Sequence, residues 1–311
     1  MASYIGKRLL MLLPVAFGVT VICFLLIHLI PGDPAQTLLG FKATPAAVAA
    51  LNREWGLNRS FLYQYWLFLD HLVHGNLGRS FFYDATTTSL IVGHLPVTLL
   101  LLLFASIMAI GISVPLAVIA AVRPRGVSDQ FVRAVPLVGI GMPSFWIGTM
   151  LILVLALRVK VFPVGGYGND FTSHLYSLIL PGLTVALSIV PMLTRSLRVA
   201  MIEALQSEYV AFGRSKGLPE WIVLFRYGLR NASISGISVL GIQVGFLVGG
   251  TLVVENVFAL PGLGTLMIQS IFNRDFPVVQ GITLVFAVIV VLVYLLTDLA
   301  YAMLDPRIRL S

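Results

Sequence analysis

The sequence contains few charged residues and a single cysteine. Only 11% of its 311 residues are charged, whereas 58% are hydrophobic, and the mean hydropathy is +0.97. A water-soluble globular protein of this length would not tolerate that composition. Because Cys23 is the only cysteine, one chain can form neither a disulfide nor a thiolate metal cluster. These shortages exclude a soluble domain and indicate an integral membrane protein.

The chain also lacks the motifs of nucleotide, metal and hydrolase chemistry. It has no G-x-x-x-x-G-K-[ST] loop for phosphates, and Ser144 follows Met142-Pro143 without a G-x-S-x-G elbow. His71 and His74 have no third ligand at metal spacing. Asp298 is the one acid inside an apolar run, and structural pairing is favoured over a proton or cation role, which stays open. We therefore predict no catalytic, cofactor-binding or metal site.

Hydropathy predicts six membrane-spanning helices, each close to the ~20 residues that cross the hydrocarbon core. The first is a retained anchor, because its apolar run is about twice the length of a signal-peptide core. The predicted spans are 9–30, 97–121, 134–157, 177–200, 234–255 and 281–303.

The distribution of basic residues predicts the orientation. With the N-terminus inside, thirteen of the 20 Lys and Arg residues fall on the inner side and seven on the outer side. That excess agrees with the positive-inside rule, so both termini are predicted in the cytoplasm of a multi-pass inner (plasma) membrane protein. The formal net charge of +7 is thus a topology signal and gives no reason to expect a nucleic-acid partner.

Residues 31–93 form the one sizeable insertion between spans, predicted outside the cell. Thr44-Pro45 predicts an N-cap with proline at the first helical position, and Gly56 can end that helix. A second helix over 60–74 is rich in aromatic residues, which predicts that it rests at the headgroup level or packs on the outer ends of the spans. A brace or lid is the favoured role, and docking of a partner is the alternative.

A polar segment, residues 203–231, separates two long apolar runs. It is too long and too amphipathic for a simple turn, and its bases outnumber its acids, which favours the cytoplasmic face. Gly217 and Pro219 bound a predicted short helix that lies flat at the membrane surface. Such a helix is what a membrane domain can offer to a soluble partner.

The fifth span carries glycines four residues apart. Small residues at this spacing let another helix backbone approach closely. The stripe is predicted either to pack helices tightly within the chain or to line the translocation path against a second subunit. The candidate residues are Gly241, Gln243, Gly245, Gly249 and Gly250.

Several motifs, in order along nearly the whole chain, resemble one transporter family. They resemble the permeases of dipeptide, oligopeptide and nickel ABC importers, specifically the first of the two permease types. One departure is Ser235, where the family usually has proline. The motifs are Leu29-Ile30-Pro31-Gly32-Asp33-Pro34, Gly75-Asn76-Leu77-Gly78-Arg79-Ser80, Met142-Pro143-Ser144-Phe145-Trp146-Ile147-Gly148, Phe162-Pro163, Gly228-Leu229-Arg230-Asn231-Ala232, Phe258-Ala259-Leu260-Pro261-Gly262-Leu263-Gly264, Arg274-Asp275-Phe276-Pro277-Val278-Val279-Gln280-Gly281 and Asp305-Pro306-Arg307-Ile308-Arg309.

The resemblance implies an all-α type I importer fold and a non-catalytic translocation subunit. Its domains would be 1–93 (first helix and insertion), 94–303 (permease core with coupling loop 203–231) and 304–311 (tail). The resemblance assigns ATPase coupling to Glu208, Gly213, Arg214, Lys216, Gly217 and Leu218.

The resemblance also implies the partners and the substrate class. Expected partners are membrane lipid, a second homologous permease, two ATP-binding subunits or domains that use ATP and Mg, and an extracytoplasmic solute-binding protein. The chain itself would bind no cofactor. Di- or oligopeptides are the favoured substrate, with nickel or glutathione as alternatives. A channel or a passive membrane scaffold is the alternative from another functional class, and neither would need an ATPase-docking loop.

Overall fold

A computed structural model describes residues 14–25, 28, 34–40, 43–54, 56–80 and 82–304. Almost all of the secondary structure in this part is helical, which confirms the predicted all-α class, with one short β-hairpin added. The elements are α1 (Pro14–Leu25), α2 (Pro34–Leu39), α3 (Pro45–Glu54), α4 (Phe61–Val73), β1 (Arg79–Ser80), β2 (Ala85–Thr86), α5 (Thr87–Val122), α6 (Val127–Ile140), α7 (Ser144–Leu151, continued by a π-helix Ile152–Arg158), α8 (Phe171–Ser177), α9 (Ile179–Leu205), α10 (Glu208–Ser215), α11 (Glu220–Ile222, continued by a π-helix Val223–Leu229), α12 (Arg230–Val257), α13 (Leu263–Phe272) and α14 (Phe276–Leu304).

Four helical stretches are long and apolar enough to cross a membrane. They contain the second, fourth, fifth and sixth predicted spans, and α1 lies within the first, whose remaining residues are mostly outside the described ones. Shorter apolar helices are α1, Ser144–Arg158 and α13, and α13 was not predicted. The four long stretches are Thr87–Val122, Phe171–Leu205, Glu220–Val257 and Phe276–Leu304.

The third predicted span is not one continuous helix. Helix α6 ends at Ile140, and Ser144 begins α7 after Pro143, whose backbone is extended with φ −61° and ψ 143°. Proline has no backbone N–H to donate and disfavours a helical conformation at the residue before it. The predicted helix over 134–157 is therefore interrupted, and its apolar part is Ser144–Arg158.

The chain forms two compact units. The first contains residues 1–98 and 261–291, and the second contains residues 99–260 and 292–311. Helices α5 and α14 each contribute to both units.

The core of the second unit lies along one face of α9. Four of its side chains, spaced four residues apart, are almost completely buried: Ile189, Leu193, Leu197 and Met201. This spacing places them on one face of a helix. Ala232 of α12 packs in the same cluster, and a Cβ at Gly236 of α12 would lie 2.5 Å from Cδ2 of Leu197. Small residues on α12 thus let the two helices pack closely.

The insertion in the first unit folds largely as predicted. The N–H of Ala47 donates to Oγ1 of Thr44 at 3.2 Å, and Gly56 has a φ of +62° where α3 has ended. The α4 rings of Phe61, Tyr65 and Phe68 surround Phe24 of α1, with ring centroids 5.0, 5.2 and 5.9 Å away. The aromatic helix therefore packs on the first span, as one of the predicted arrangements required.

Sequence analysis did not predict the hairpin that follows α4. Ser80 of β1 pairs with Ala85 of β2, and Asp84 turns the chain with a φ of 51°. The buried hydroxyl of Ser80 donates to Oδ2 of Asp275, in the loop that precedes α14. One polar contact thus joins the hairpin to the start of the last long helix.

Candidate functional site

The polar segment contains the predicted short helix, but little of the segment is loop. Helix α9 continues to Leu205, and residues 220–257 form one helical stretch. Helix α10 (Glu208–Ser215) lies between them. Its Val210 and Gly213 are buried, whereas Tyr209 and Phe212 are 48% and 61% exposed. The helix therefore has one face packed on the protein and one face open.

Gly217 ends α10 in a Schellman motif. Its φ is +79°, its N–H donates to the carbonyl of Arg214 at 2.9 Å, and the N–H of Leu218 donates to the carbonyl of Gly213 at 3.2 Å. These are the two hydrogen bonds that define the motif, and glycine adopts the required left-handed conformation without strain. Leu218 also closes over Gly213, where a Cβ would lie 3.1 Å from the leucine Cδ1.

A bidentate ion pair spans the turn after α10. Nε of Arg214 lies 2.9 Å from Oε1 of Glu220, and Nη2 lies 3.2 Å from Oε2. Both side chains are substantially exposed, so this pair fixes geometry more than it adds stability. Lys216 Nζ lies 4.5 Å from the centroid of the Phe212 ring. Four of the six predicted coupling residues thus take part in ending α10 or bridging its turn: Gly213, Arg214, Gly217 and Leu218.

The hydroxyl of Tyr209 joins α10 to α12, and the neighbouring π-helix packs on the end of α9. Nδ2 of Asn231 donates to the Tyr209 hydroxyl at 3.0 Å and to the carbonyl of Tyr227 at 2.7 Å. A Cβ at Gly228 would lie 3.2 Å from Leu205 and 3.4 Å from Met201, so the π-helix before α12 packs tightly on the end of α9. The Tyr209–Asn231 link was not predicted, because the two residues are 22 positions apart and only the fold brings them together.

A buried carboxylate ties α6 to α9 just before the polar segment. Asp129 accepts hydrogen bonds from Nε and Nη2 of Arg198, the latter at 2.8 Å, and from the N–H of Arg125 at 2.8 Å. Its side chain is 0% exposed, and Arg133 approaches it at 3.7 Å. The hydrogen bond from Arg198 holds the pKa of Asp129 below its ordinary value, against the opposing effect of burial. No sequence motif pointed to this pair.

These contacts produce a rigid, partly apolar surface at the end of two long helices. Such a surface suits the binding of another protein. Within the described residues, no group of three His, Cys, Asp or Glu side chains is placed to hold a metal ion.

Comparison with known protein families identifies the chain. Residues 113–310 match the model described as the binding-protein-dependent transport system inner membrane component. Residues 1–102 match the model for the N-terminal part of the same kind of membrane component. The chain belongs to this permease family. The family membership inferred from the motifs is confirmed, and with it the membrane permease fold.

Curated relatives match the permease over its full length. It is 38% identical to the oligopeptide transport system permease protein AppB of Bacillus subtilis, covering 99% of this chain and 100% of that protein. It is 36% identical to the dipeptide transport system permease protein DppB of Alkalihalophilus pseudofirmus, again over 99% and 100%. It is 34% identical to the glutathione transport system permease protein GsiC of Escherichia coli, over 99% of each chain.

The glycine stripe of this permease has its packing partners partly within the chain. A Cβ at Gly241 would lie 2.1 Å from Oγ1 of Thr297, and one at Gly245 would lie 3.1 Å from the Tyr294 hydroxyl, both on α14. At Gly249 no described atom lies within 4 Å of such a Cβ. The structure therefore favours intrachain packing for Gly241 and Gly245, and contact with a second subunit stays a prediction for Gly249. Gln243 is half-buried between them, and a Cβ at Gly250 would lie 3.6 Å from Cδ2 of Leu247 on the same helix.

Proposed function

We propose that this permease is the non-catalytic translocation subunit of an ATP-driven importer of di- or oligopeptides. The relatives at 38% and 36% identity, an oligopeptide and a dipeptide transport permease, support peptides as the substrate. The relative at 34% identity keeps glutathione as the alternative, and nickel rests on the motif resemblance alone. Competition of labelled dipeptide uptake by glutathione and by nickel would separate these substrates.

Helix α10 is the proposed docking element for a partner ATPase. The observation that carries this proposal is the fixed geometry of the helix: a Schellman end at Gly217, an ion pair across the turn and a hydrogen bond from Asn231 to Tyr209. A helix held in this way transmits a push to α9 and α12 as a rigid body. Glu208 and Lys216 add charge beside the exposed rings of Tyr209 and Phe212.

The work for transport would come from partners. The sequence has no phosphate-binding loop, so ATP and Mg would be used by two ATPase subunits or domains. A second homologous permease would complete the path, and an extracytoplasmic solute-binding protein would deliver the substrate. Co-purification of the tagged chain with these three kinds of partner tests the assembly.

Replacement of Gly217 tests the docking role. Gly217→Pro removes the N–H that donates to Arg214 and forbids the observed φ of +79°. We expect normal membrane abundance with a loss of both peptide uptake and peptide-stimulated ATPase activity. Gly75→Pro is a matched control in the insertion, because Gly75 also has a positive φ (+71°) and donates its N–H at the end of a helix. Unchanged uptake in Gly217→Pro would contradict the docking role.

The proposed orientation places both termini in the cytoplasm and the insertion outside. It is supported by the uneven distribution of Lys and Arg. In a Cys23→Ala background, single cysteines at the exposed positions Thr44 and Ser128 should react with an impermeant thiol reagent from opposite sides. Labelling of both from the same side would refute the orientation.

A further inference from the structure

One face of α9 carries two opposite charges and is left open. Met192, Arg195, Val199 and Glu203 are all exposed. At 3.6 residues per turn these four positions fall within an arc of roughly 80°. The buried row that begins at Ile189 lies on another part of the same helix surface, so this open face is separate from the core.

A cleft of about 340 Å³ lies along this open face, between α9 and α12. Its walls are apolar at Met192, Val199 and Ala200. At its floor the hydroxyls of Ser196 and Ser235 are 2.8 Å apart, so the two helices are joined there. Ser235 stands where the family usually has proline, which carries no hydroxyl for such a link.

The two charged residues of the cleft are available to a ligand. In the part of the chain that the structure describes, neither Arg195 nor Glu203 forms an ion pair. Arg198 differs, because its guanidinium is already bound to Asp129. Among the described residues, the cleft thus presents an arginine without an ion pair toward one end, a glutamate without one toward the other and an apolar wall between them.

A free peptide has the complementary charges, with a carboxylate at one end and an ammonium group at the other. Eight residues separate Arg195 from Glu203, which is about 12 Å along a helix. An extended peptide spans roughly 3.3–3.6 Å per residue, so three or four residues cover this distance.

We propose that this cleft binds zwitterionic tri- and tetrapeptides during their passage, with Arg195 binding the peptide carboxylate and Glu203 the ammonium group. This inference rests on the proposed function, and it adds the site and the length of substrate that the site fits. A single anion or cation would use only one of the two charges, whereas a short peptide uses both.

The test uses the complete transporter, reconstituted with its permease, ATPase and binding-protein partners, and labelled di-, tri- and tetraalanine. Arg195→Gln should lower uptake of tri- and tetraalanine by about tenfold, the scale of a lost hydrogen bond to a charged group. Dialanine, too short to reach both charges, should be affected less. Arg123→Gln is the matched control, because Arg123 is an exposed base outside the cleft.

Charge exchange separates a binding role from a structural one. Arg195→Glu alone places two carboxylates in the cleft and should lower uptake further than Arg195→Gln does. Adding Glu203→Arg should restore most of the uptake, because a peptide can enter the exchanged cleft in the reverse direction.

Each possible outcome decides between the alternatives. Unchanged tripeptide uptake in Arg195→Gln, or no recovery in the exchanged variant, would overturn the inference. Loss of co-purification with the second permease would assign this face to subunit packing and would also overturn it. A wild-type complex that imports no peptide would overturn the proposed function and this inference together, whereas peptide import by the wild type with unaffected variants would overturn the inference alone.

Discussion

Two buried carboxylates, one in each unit, show how the hydrogen-bond partner of a carboxylate determines the direction of its pKa shift. Asp129 in the second unit is 0% exposed and bound by the guanidinium of Arg198, and its pKa is lowered. Asp275 in the first unit is 5% exposed, but its side-chain partner is the neutral hydroxyl of Ser80. Burial therefore dominates at Asp275 and raises its pKa.

The polar segment and the insertion also differ in the kind of contact that holds them. The region of Asp129 and the polar segment is held by directed polar contacts, such as Arg198 to Asp129 and Asn231 to Tyr209. In the insertion, three rings of α4 pack around Phe24. A directed contact fixes orientation, which suits a surface that transmits motion, whereas ring packing fixes position through buried area.

The largest expected loss of stability comes from the ring cluster. Phe24→Ala should lower the free energy of unfolding by about 3–5 kcal/mol, because it removes a buried ring contacted by Phe61, Tyr65 and Phe68. Thermal unfolding of the purified protein and proteolysis of the insertion measure this loss. Ile22→Ala is the control, since Ile22 lies on α1 but is exposed. Equal effects of the two variants would contradict the role of the ring cluster.

The second largest effect should come from Asp129. Asp129→Ala leaves Arg198 without its carboxylate partner, and loss of a buried partner costs about 3 kcal/mol at the lower end of the usual range, because the Arg198 side chain keeps 16% exposure. Proteolysis should then increase at α6 and the polar segment. Arg79→Ala is a control, because it removes an exposed ion pair, Arg79 with Asp84, and should cost little. A variant as stable as wild type would show that the Asp129 pair contributes nothing.

The two carboxylates should also give opposite pH dependences. The lowered pKa of Asp129 means that its stabilising contribution is full above the unfolded-state value of about 3.9 and is lost as the pH falls through the folded-state pKa. The raised pKa of Asp275 means that its contribution is present below about 3.9 and is lost as the pH rises through the folded-state pKa.

Thermal unfolding of Asp129→Asn and Asp275→Asn across pH 3–7 measures these contributions. The stability advantage of the wild type over Asp129→Asn should shrink on acidification. Relative to Asp275→Asn, the wild type should gain stability on acidification. Differences of the same sign for both variants would contradict the comparison.

The smallest expected change in stability comes from Gly217, at the end of the proposed coupling helix α10. Gly217→Ala forces a side chain into the left-handed region, at a cost of about 1–2 kcal/mol confined to the end of α10. No described atom lies within 4 Å of the new Cβ, so strain is the only expected cause. Peptide should stimulate the ATPase activity much less than in the wild type, whereas the unfolding temperature should change little. Gly217→Asn should lose less of this ATPase stimulation, since asparagine tolerates the left-handed conformation. Equal losses of stimulation in the two variants would argue against backbone strain.

Sequence reasoning reached the membrane class, most of the helices and the end of α10. Apolar runs, the Thr44-Pro45 cap and the glycine after a short amphipathic helix are local signals, and local sterics and hydrogen bonding produce the observed structure from them. The same reasoning did not predict the break in the helix within 134–157, because average hydropathy does not register the effect of Pro143 on the backbone. It also treated residues 220–231 as loop, because polar side chains there conceal a helix continuous with α12.

The sequence by itself determined that this chain is a membrane protein with a short polar helix ending at a glycine, because composition and turn chemistry act over a few residues, and its motifs resemble those of one permease family. Only the tertiary structure decided which distant side chains meet: Asp129 with Arg198 across 69 positions, Ser80 with Asp275 across 195, and Ser196 with Ser235 across 39. The structure likewise left Arg195 exposed while it bound Arg198 to Asp129. Arg195 and Arg198 are equivalent in hydropathy. Because they point in different directions from the helix, Arg198 forms a structural ion pair and Arg195 lines the open cleft.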